Sequence, residues 1–468
     1  MMAGPLAVSL APIRGKARID VLDILRGLAI LGIFYINVPY MAAPVWQFSA
    51  DIRSIGWSAA DEGAWSLITI FLAGTQRCLL EFLFGAGMMV MARKATTPEG
   101  PVAIADLYWR RNLWLLGFGL FDVFVLLWPG DILHIYALAA LFLFPFRTLG
   151  PRVLLTLGLG WAMLWAVGIP EHGLRQYVDR AELVQQVDAA HAHQRAGQAL
   201  TQADGKALAD WSKLVAVHTP DPELRARIAQ EVKAHQGGFL PYAREAWGYW
   251  VFLADEWLVW DVFEAFCTML IGVALWKWGV IQGQRSKRFY LVLMLAAYGF
   301  GVTARAIGVS DSISFTLMPR TSWVTGEFAR LAVGLGHLAL VNWAVQTRTG
   351  NALLSVFKAP GRMAFSLYFL QQFVGKYILF APWGFNLWGR YGWAQMALIS
   401  TIGVILLVMF AHVWMRRFTS GPLEWLWRSL AYVQWQPLLR REISAPPQTD
   451  PAFPQGPAAA AGSAPAAR

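Results

Sequence analysis

Apolar residues run along this chain in long blocks separated by short charged or turn-forming segments, and each block has the length of a membrane crossing. A bilayer core of about 30 Å takes around 20 mostly apolar residues in a helix. By that measure the pattern predicts ten spans, at roughly 21–43, 65–92, 108–128, 131–147, 150–169, 255–278, 289–308, 323–346, 361–381 and 394–416. The Trp-Pro-Gly-Asp sequence at 128–131 reads as a tight hairpin between the third and fourth spans. One long polar stretch interrupts the series, from Glu171 to Glu245; its Ala, Gln, Leu and Arg content and scarcity of Gly predict two or three short helices. From Ser444 the chain is Pro/Ala-rich with no apolar face, the composition of a disordered tail. The expected fold is therefore an all-α polytopic transmembrane helical bundle. It divides into an N-terminal segment (1–20), a five-span half (21–170), a helical insert (171–245), a second five-span half (246–430) and a tail (431–468).

Lys and Arg beside span ends mark the cytoplasm. With the N-terminus inside, the inner flanks carry eighteen: Arg14, Lys16 and Arg18 before the first span, Arg93, Lys94, Arg110 and Arg111 after the second, and so on to Arg416 and Arg417. The short outer loops offer Arg53, Arg320 and Arg390. This asymmetry predicts an even number of spans, both ends in the cytoplasm and the insert in the periplasm, in a cell inner membrane.

Composition strengthens this reading. Hydrophobic residues are 57% and charged residues 15%, against roughly 45–50% and about 25% in soluble proteins. The 24 Trp and 28 Phe suit a lipid-facing surface with interfacial aromatic belts. The net charge of +10 is accounted for by Lys and Arg in cytoplasmic loops, not by nucleic-acid binding. Cys78 and Cys267 both fall in apolar runs, so neither a disulfide framework nor a thiolate metal site is expected. The basic start followed by an apolar stretch resembles a signal peptide. That stretch is long, holds Asp23 and Arg26 and lacks a clear cleavage site, so it reads as a retained first span.

Ionisable groups inside a bilayer cost at least about 2.5–3.5 kcal/mol each at mid-membrane and mark function by default. On this topology the outer halves of the spans hold Asn37, Asp122, Asp131, His134, Asp261, Glu264, Arg305, Glu327, Arg330 and Lys376. Arg77, Glu81, His337, Gln371 and Gln372 lie nearer the middle, and Asp23 and Arg26 nearer the cytoplasm. Such a set persists only if it pairs internally or lines a hydrated cavity, which predicts a polar vestibule open to the periplasm. Asp23/Arg26 and Glu327/Arg330 are three apart and Arg77/Glu81 four apart, spacings that form ion pairs along one helix. The plainer alternative is that these pairs only neutralise each other and tie helices together. Asp261 and Glu264 share a helical face with no adjacent cation and need a partner from elsewhere, with Arg305 and Lys376 as candidates.

Histidine is the natural general base near neutral pH. His134 follows Asp131 at the outer end of the fourth span, within reach of water and substrate, and is the best base candidate. His337 sits mid-span with Gly334 and Gly336 and reads as packing; His412 reads as interfacial. His191 and His193 are two apart, which does not present two ligands on one helical face, so no metal site is expected there.

Several segments resemble the YeiB-like family, catalogued as domain of unknown function 418. They are RIDVLDILRGLAILGIFYIN (18–37), FLFGAG (82–87), RRNLWLLGFGLFD (110–122), GDILHIYAL (130–138), MLIGVALWKWG (269–279), GRMAFSLYFLQQ (361–372) and GPLEWLWR (421–428). These seven motifs, in the family's order, bracket residues 18–430 apart from the insert. The family is itself similar to acyltransferase family 3 and the heparan glucosaminide acetyltransferases. Those proteins move an acyl group from a cytoplasmic donor, typically acetyl-CoA, to a sugar or glycan on the other face. The resemblance implies a base that deprotonates the acceptor and cations that steady the donor's phosphates. Arg26 matches the arginine of the LRG motif and, with its neighbour Asp23, is the implied acyl-CoA contact. Two positions depart from the pattern. Asn37 stands where acyltransferase family 3 has a histidine eleven residues after that arginine, which leaves it a hydrogen-bonding orienter. Asp122 stands where YeiB-like proteins often have a histidine and remains able to act as a base.

Three functions follow as expectations. The first is a transmembrane O- or N-acyltransferase that uses acyl-CoA as co-substrate, with an envelope glycan as acceptor. The second is a transporter or exporter of a small polar or anionic solute. The third is an envelope-assembly scaffold acting through the insert.

Overall fold

The computed structural model describes residues 19–92, 100–171, 173–217 and 222–440. The expected basic residues Arg14, Lys16, Arg18, Arg93 and Lys94, together with His172, His218 and the tail from Ser444, lie outside them. The described chain is helical, with a single isolated antiparallel bridge between Phe418 and Leu439. In chain order the helices are α1 (Asp20–Ala42), α2 (Val45–Ala50), α3 (Ala59–Phe71), α4 (Thr75–Ala92), α5 (Gly100–Phe124), α6 (Leu133–Leu143), α7 (Pro151–Gly158) and α8 (Gly160–Val167). The insert contributes α9 (Gly173–Arg195), α10 (Gln202–Val217) and α11 (Pro222–Gln236). Then come α12 (Phe239–Lys277), α13 (Lys287–Ile313), α14 (Ser322–Val345), α15 (Arg348–Leu354), α16 (Lys358–Arg362), α17 (Ala364–Gln372), α18 (Trp393–Arg417) and α19 (Pro422–Tyr432).

Six of these units are long and apolar enough to cross a bilayer: α1, α3 with α4, α12, α13, α14 and α18. The protein is a multi-pass membrane helical bundle. The remaining apolar blocks of the sequence also form helices, but shorter, interrupted or more charged ones. Of the block 108–128, residues 108–124 fall on α5, which carries Asp106, Arg110, Arg111 and Asp122, and the rest lie in the loop after it. Residues 131–147 form α6 and the tight turn after it, residues 150–169 form α7 and α8, and residues 361–381 form α17 and a wide π-helical segment, Phe373–Phe380.

The interruptions have local causes. Between α3 and α4, Gly74 takes a left-handed conformation (φ 71°), which costs glycine no Cβ clash. The Thr75 hydroxyl then donates to the carbonyls of Phe71 (2.7 Å) and Leu72 (3.0 Å), satisfying acceptors that the break leaves open. Between α7 and α8, Gly158 lies so close to α12 that a Cβ there would meet Ile271 Cγ1 at 2.5 Å and Cys267 O at 2.8 Å.

A core cluster of buried apolar side chains joins α1, α4, α6, α12 and α17. α1 is packed against α4, α16 and α18, while α12 lies along α4, α6 and α7 and α13 pairs with α14 as a hairpin. α4 and α12 cross closely through Gly85 and Gly272, where an added Cβ would strike the opposite backbone from either side. At 39 residues α12 is about 58 Å long, nearly twice a bilayer core. From Tyr249 onward it lines the space between the helices, and its N-terminal turns lie at the end that carries the insert. There Glu231 of α11 accepts hydrogen bonds from the backbone N–H groups of Val45 (2.7 Å) and Trp46 (3.2 Å) at the start of α2. Arg180 of α9 donates to Leu317 O (2.7 Å) between α13 and α14.

Candidate functional site

Two chambers open from opposite ends of the bundle, and the first turn of α6 stands between them. The chamber at the insert end has a volume of about 300 Å³, with Asn37, Arg77, Asp131, His134 and Asp261 in its wall. The chamber at the other end holds about 220 Å³ and is lined by Arg26, Arg111, Arg362, Arg428, Tyr136 and Tyr368. Ile132 lines both.

Asp131 sits just ahead of α6, at the end of the loop from α5. Its Oδ2 accepts from the backbone N–H of His134 (2.9 Å), satisfying an amide at the helix start, and lies 2.8 Å from His134 Nδ1. A carboxylate only accepts, so this bond places the ring proton on Nδ1 and leaves Nε2 with a lone pair, the arrangement a general base needs. Tyr368 of α17 donates from its hydroxyl to Asp131 Oδ1 (3.2 Å) and accepts from Ile132 N (3.2 Å). The aspartate is thus held from both sides, by a histidine on one chamber and a tyrosine on the other. Gly119 of α5 makes room for this: a Cβ there would collide with His134 N and lie 2.7 Å from Asp131 Oδ2.

Asp122, fully buried on α5, is beside Asp131, Gln372 and Lys376. Lys376 donates to Leu127 O in the loop that leads to Asp131 and faces the Trp128 ring at 5.9 Å. Gln371 points elsewhere and donates to Ile30 O of α1 (3.1 Å).

Behind the insert-end chamber lies a buried ion-pair network. Arg77 Nη2 is 2.6 Å from Glu264 and 3.7 Å from Asp261, and its Nε is 3.8 Å from Glu81. Arg330 reaches Glu264 (2.7 Å), Glu327 (2.9 Å), Glu81 (3.3 Å) and the Thr268 hydroxyl (3.1 Å). The expected local pairs Asp23/Arg26 (3.0 Å) and Glu327/Arg330 form. Arg77/Glu81 is the long contact of its set. The cations that hold Asp261 and Glu264 are Arg77 and Arg330, not Arg305 or Lys376. Arg305 instead donates to Thr69 O (2.6 Å) near the break after α3. His337 bonds Tyr298 Oη (2.6 Å) and Phe71 O (2.8 Å), tying α14 to α13 and α3, and His412 bonds Val408 O of its own helix (2.9 Å). No group of metal-binding side chains is present among the described residues.

The arginines of the second chamber come from four distant parts of the sequence. Arg26 pairs with Asp23; Arg111 stacks on Trp427 (4.5 Å); Arg362 donates to Thr419 O (2.9 Å); Arg428 follows on α19. Glu424 is the carboxylate in this wall, and it is engaged in capping α17 through Phe365 N (2.7 Å), Ser366 N (3.3 Å) and Ser366 Oγ (2.5 Å). The sequence marks Arg111 and Arg362 only as cytoplasmic flank residues and gives Tyr368 and Arg428 no site role, although each stands inside one of the quoted motifs.

The model of a family described as a protein of unknown function, DUF418, matches residues 275–434. Bacillus subtilis YxaH, described as uncharacterised, is 30% identical over 438 residues, covering 92% of this chain and 99% of the relative. The chain belongs to the DUF418 family. Escherichia coli YeiB, also described as uncharacterised, is 26% identical over 430 residues, 87% of this chain and 95% of the relative. No solved structure matches this DUF418 protein.

Proposed function

We propose that this DUF418 protein is a transmembrane acyltransferase that moves an acyl group from a cytoplasmic acyl-CoA to an acceptor on a periplasmic or envelope saccharide. The observation that carries the reading is the pair of chambers meeting at one helical turn, with a histidine–aspartate dyad on one side and four arginines on the other. The proposed topology has ten crossings in the inner membrane with both ends in the cytoplasm, which puts the arginine chamber inside and His134 outside. The Lys/Arg asymmetry of the loops supports that orientation. The insert (171–245) is then periplasmic and separates two five-span halves, 21–170 and 246–430.

In this reading the arginine chamber binds the donor's phosphates, since guanidinium pairs strongly with phosphate oxygens. His134 Nε2 takes the proton of an acceptor hydroxyl or amine, Asp131 stabilises the resulting imidazolium, and the acceptor atom attacks the acyl carbonyl. The carbon–sulfur bond breaks, the CoA thiolate leaves, and the proton held by His134 is available to it. Asp122 is the second candidate base. Asn37, in the chamber wall, orients the acceptor.

Calorimetric or thermal-shift titration of the detergent-purified protein with acetyl-CoA and longer acyl-CoAs tests this directly. Ligand at a hundred times its Kd stabilises the native state by about 2.7 kcal/mol. His134→Ala and Asp122→Asn should each lower transfer by about 10²–10⁴-fold while leaving acyl-CoA binding intact. Absence of binding to every acyl-CoA overturns the reading. A solute transporter is the second reading, favoured by the shared wall residue Ile132, and it requires that the two chambers open alternately.

A further inference from the structure

The two chambers differ in the sign of their surplus charge. Around and behind the insert-end chamber, Arg77, Arg305 and Arg330 face five carboxylates: Glu81, Asp131, Asp261, Glu264 and Glu327. Acidic side chains thus outnumber guanidiniums in this region by two, and in the chamber wall itself Asp131 and Asp261 accompany one guanidinium, Arg77. In the other chamber the four arginines outnumber Glu424 and the Asp23 that pairs with Arg26. A ligand entering the insert-end chamber therefore meets a field that favours cations.

The wall of that chamber is built for a particular kind of cation. Trp250, Trp257 and Asp261 follow at spacings of seven and four along α12, one stripe of the helix, and all three line the chamber together with Tyr40 and Tyr249. Trp250 also stands edge-on to the His134 ring, 6.2 Å between centroids. Asp261 is the carboxylate of the network most open to the chamber, with about a third of its side chain exposed. Its contact with Arg77 is loose, 3.7 Å against the 2.6 Å between Arg77 and Glu264. Gln76, also in the wall and more than nine-tenths buried, has a carbonyl oxygen that accepts no hydrogen bond among the described residues. Aromatic faces around a carboxylate are the arrangement that recognises ammonium groups, by attraction of the cation to the ring quadrupole.

We infer that the insert-end chamber binds a ligand through an ammonium group, held by Asp261 and the aromatic stripe of α12 within reach of His134. Resting on the acyl-transfer reading, this names the chemistry of the acceptor's recognised end. It also makes an anionic solute the wrong cargo for this chamber.

The probes are choline and its uncharged carbon isostere 3,3-dimethyl-1-butanol, with ethanolamine as a primary amine, each titrated by thermal shift into the full-length protein in detergent. Choline and ethanolamine should stabilise the protein and the isostere should not. Asp261→Asn should weaken the ammonium ligands at least about tenfold, and Trp257→Leu roughly threefold or more. Both variants keep the Arg77–Glu264 and Arg330 contacts, and an unchanged acetyl-CoA titration reports that they are folded. A second arm uses phosphatidylglycerol nanodiscs with and without phosphatidylethanolamine. Stabilisation by that lipid that Asp261→Asn removes assigns the ammonium to a lipid headgroup; stabilisation by soluble amines alone assigns it to a free solute.

Equal response to choline and its isostere, or no response to any ammonium probe, overturns the inference. Ammonium binding without acyl-CoA binding would retain this site and remove the acyltransferase. Acyl-CoA binding without ammonium preference would do the reverse.

Discussion

A buried network with more carboxylates than guanidiniums responds unequally to losing one or the other, and the asymmetry can be measured. Arg330 contacts three carboxylates, Glu264 at 2.7 Å, Glu327 at 2.9 Å and Glu81 at 3.3 Å, and the Thr268 hydroxyl at 3.1 Å. Arg330→Met removes all four contacts and leaves those carboxylates facing one another away from water. Breaking a buried pair by removing one partner costs about 3–5 kcal/mol; Glu327 loses its cation outright, while Glu264 and Glu81 keep Arg77. Glu264→Gln also breaks two short contacts, to Arg77 (2.6 Å) and Arg330 (2.7 Å). It relieves repulsion with Glu81 and Asp261 and keeps an amide oxygen for both arginines, so the expected loss is about 1–3 kcal/mol. In the double variant the neutral amide at position 264 no longer adds to the stranded charge, and part of the Arg330 loss returns. The coupling should exceed about 1 kcal/mol and be less destabilising than additive. Reversible unfolding in mixed micelles, read by tryptophan fluorescence, gives all three values. If Glu264→Gln costs as much as Arg330→Met, or the two losses simply add, the surplus of negative charge argued for this region is wrong.

How much of this was legible in the sequence depends on the range of the interaction. Apolar blocks and Lys/Arg flanks are local signals, and the helices fall where those blocks lie. Pairs three residues apart on one helix, Asp23/Arg26 and Glu327/Arg330, could be read from spacing alone. Spacing says which residues are able to meet, not which do. Arg77 is four residues from Glu81, yet its short contact goes to Glu264 on another helix. The partners of Asp261 and Glu264 depend on how α4, α12 and α14 pack, which no local pattern encodes. The same limit hid the arginine chamber, whose residues converge from positions 26, 111, 362 and 428. The His134–Asp131 dyad was legible because its members are three apart at a helix start, whereas Tyr368 looked like one more aromatic in an apolar run. The break at Gly74 was missed because glycine inside an apolar block carries no polar signal; only the left-handed turn gives it meaning.

Two further predictions concern packing and pH. Gly119→Ala should destabilise the protein by about 1–3 kcal/mol and abolish acyl transfer, because the methyl group collides with His134 N and Asp131 Oδ2. Gly117→Ala, with nothing within 4 Å of the new carbon, should be neutral or gain about 0.5–1 kcal/mol; equal effects of the two in thermal unfolding would refute the close approach. At the insert, burial pushes the Glu231 carboxyl up to about 7 and the His235 imidazole down to about 4. A raised acid stabilises the docked insert fully below about pH 4.5 and loses that contribution as pH rises through about 7; the depressed histidine contributes above about pH 6.5 and loses it as pH falls through about 4. Between about pH 4.5 and 6.5 the two trends oppose each other, so hydrogen exchange at Val45 and Trp46, corrected for intrinsic rates, should show nearly constant docking in the native protein but docking that strengthens from about pH 5 to about pH 6.5 in Glu231→Gln, where the His235 term acts alone. An unchanged profile in that variant would remove Glu231 as the cause.

The thin wall between the chambers has an electrical meaning. A hydrocarbon core about 30 Å thick normally spreads the membrane potential over its whole depth. Where water-accessible chambers enter from both ends, the insulating distance shrinks towards one helical turn, about 5.4 Å, and the field there is correspondingly steeper. A unit charge that crosses the whole potential gains or loses about 2.3 kcal/mol per 100 mV. Asp131 just ahead of this turn, His134 on it and Tyr368 of α17 beside it all stand at this wall. In the topology proposed above, a proton taken up by His134 would sit within that steep part of the field.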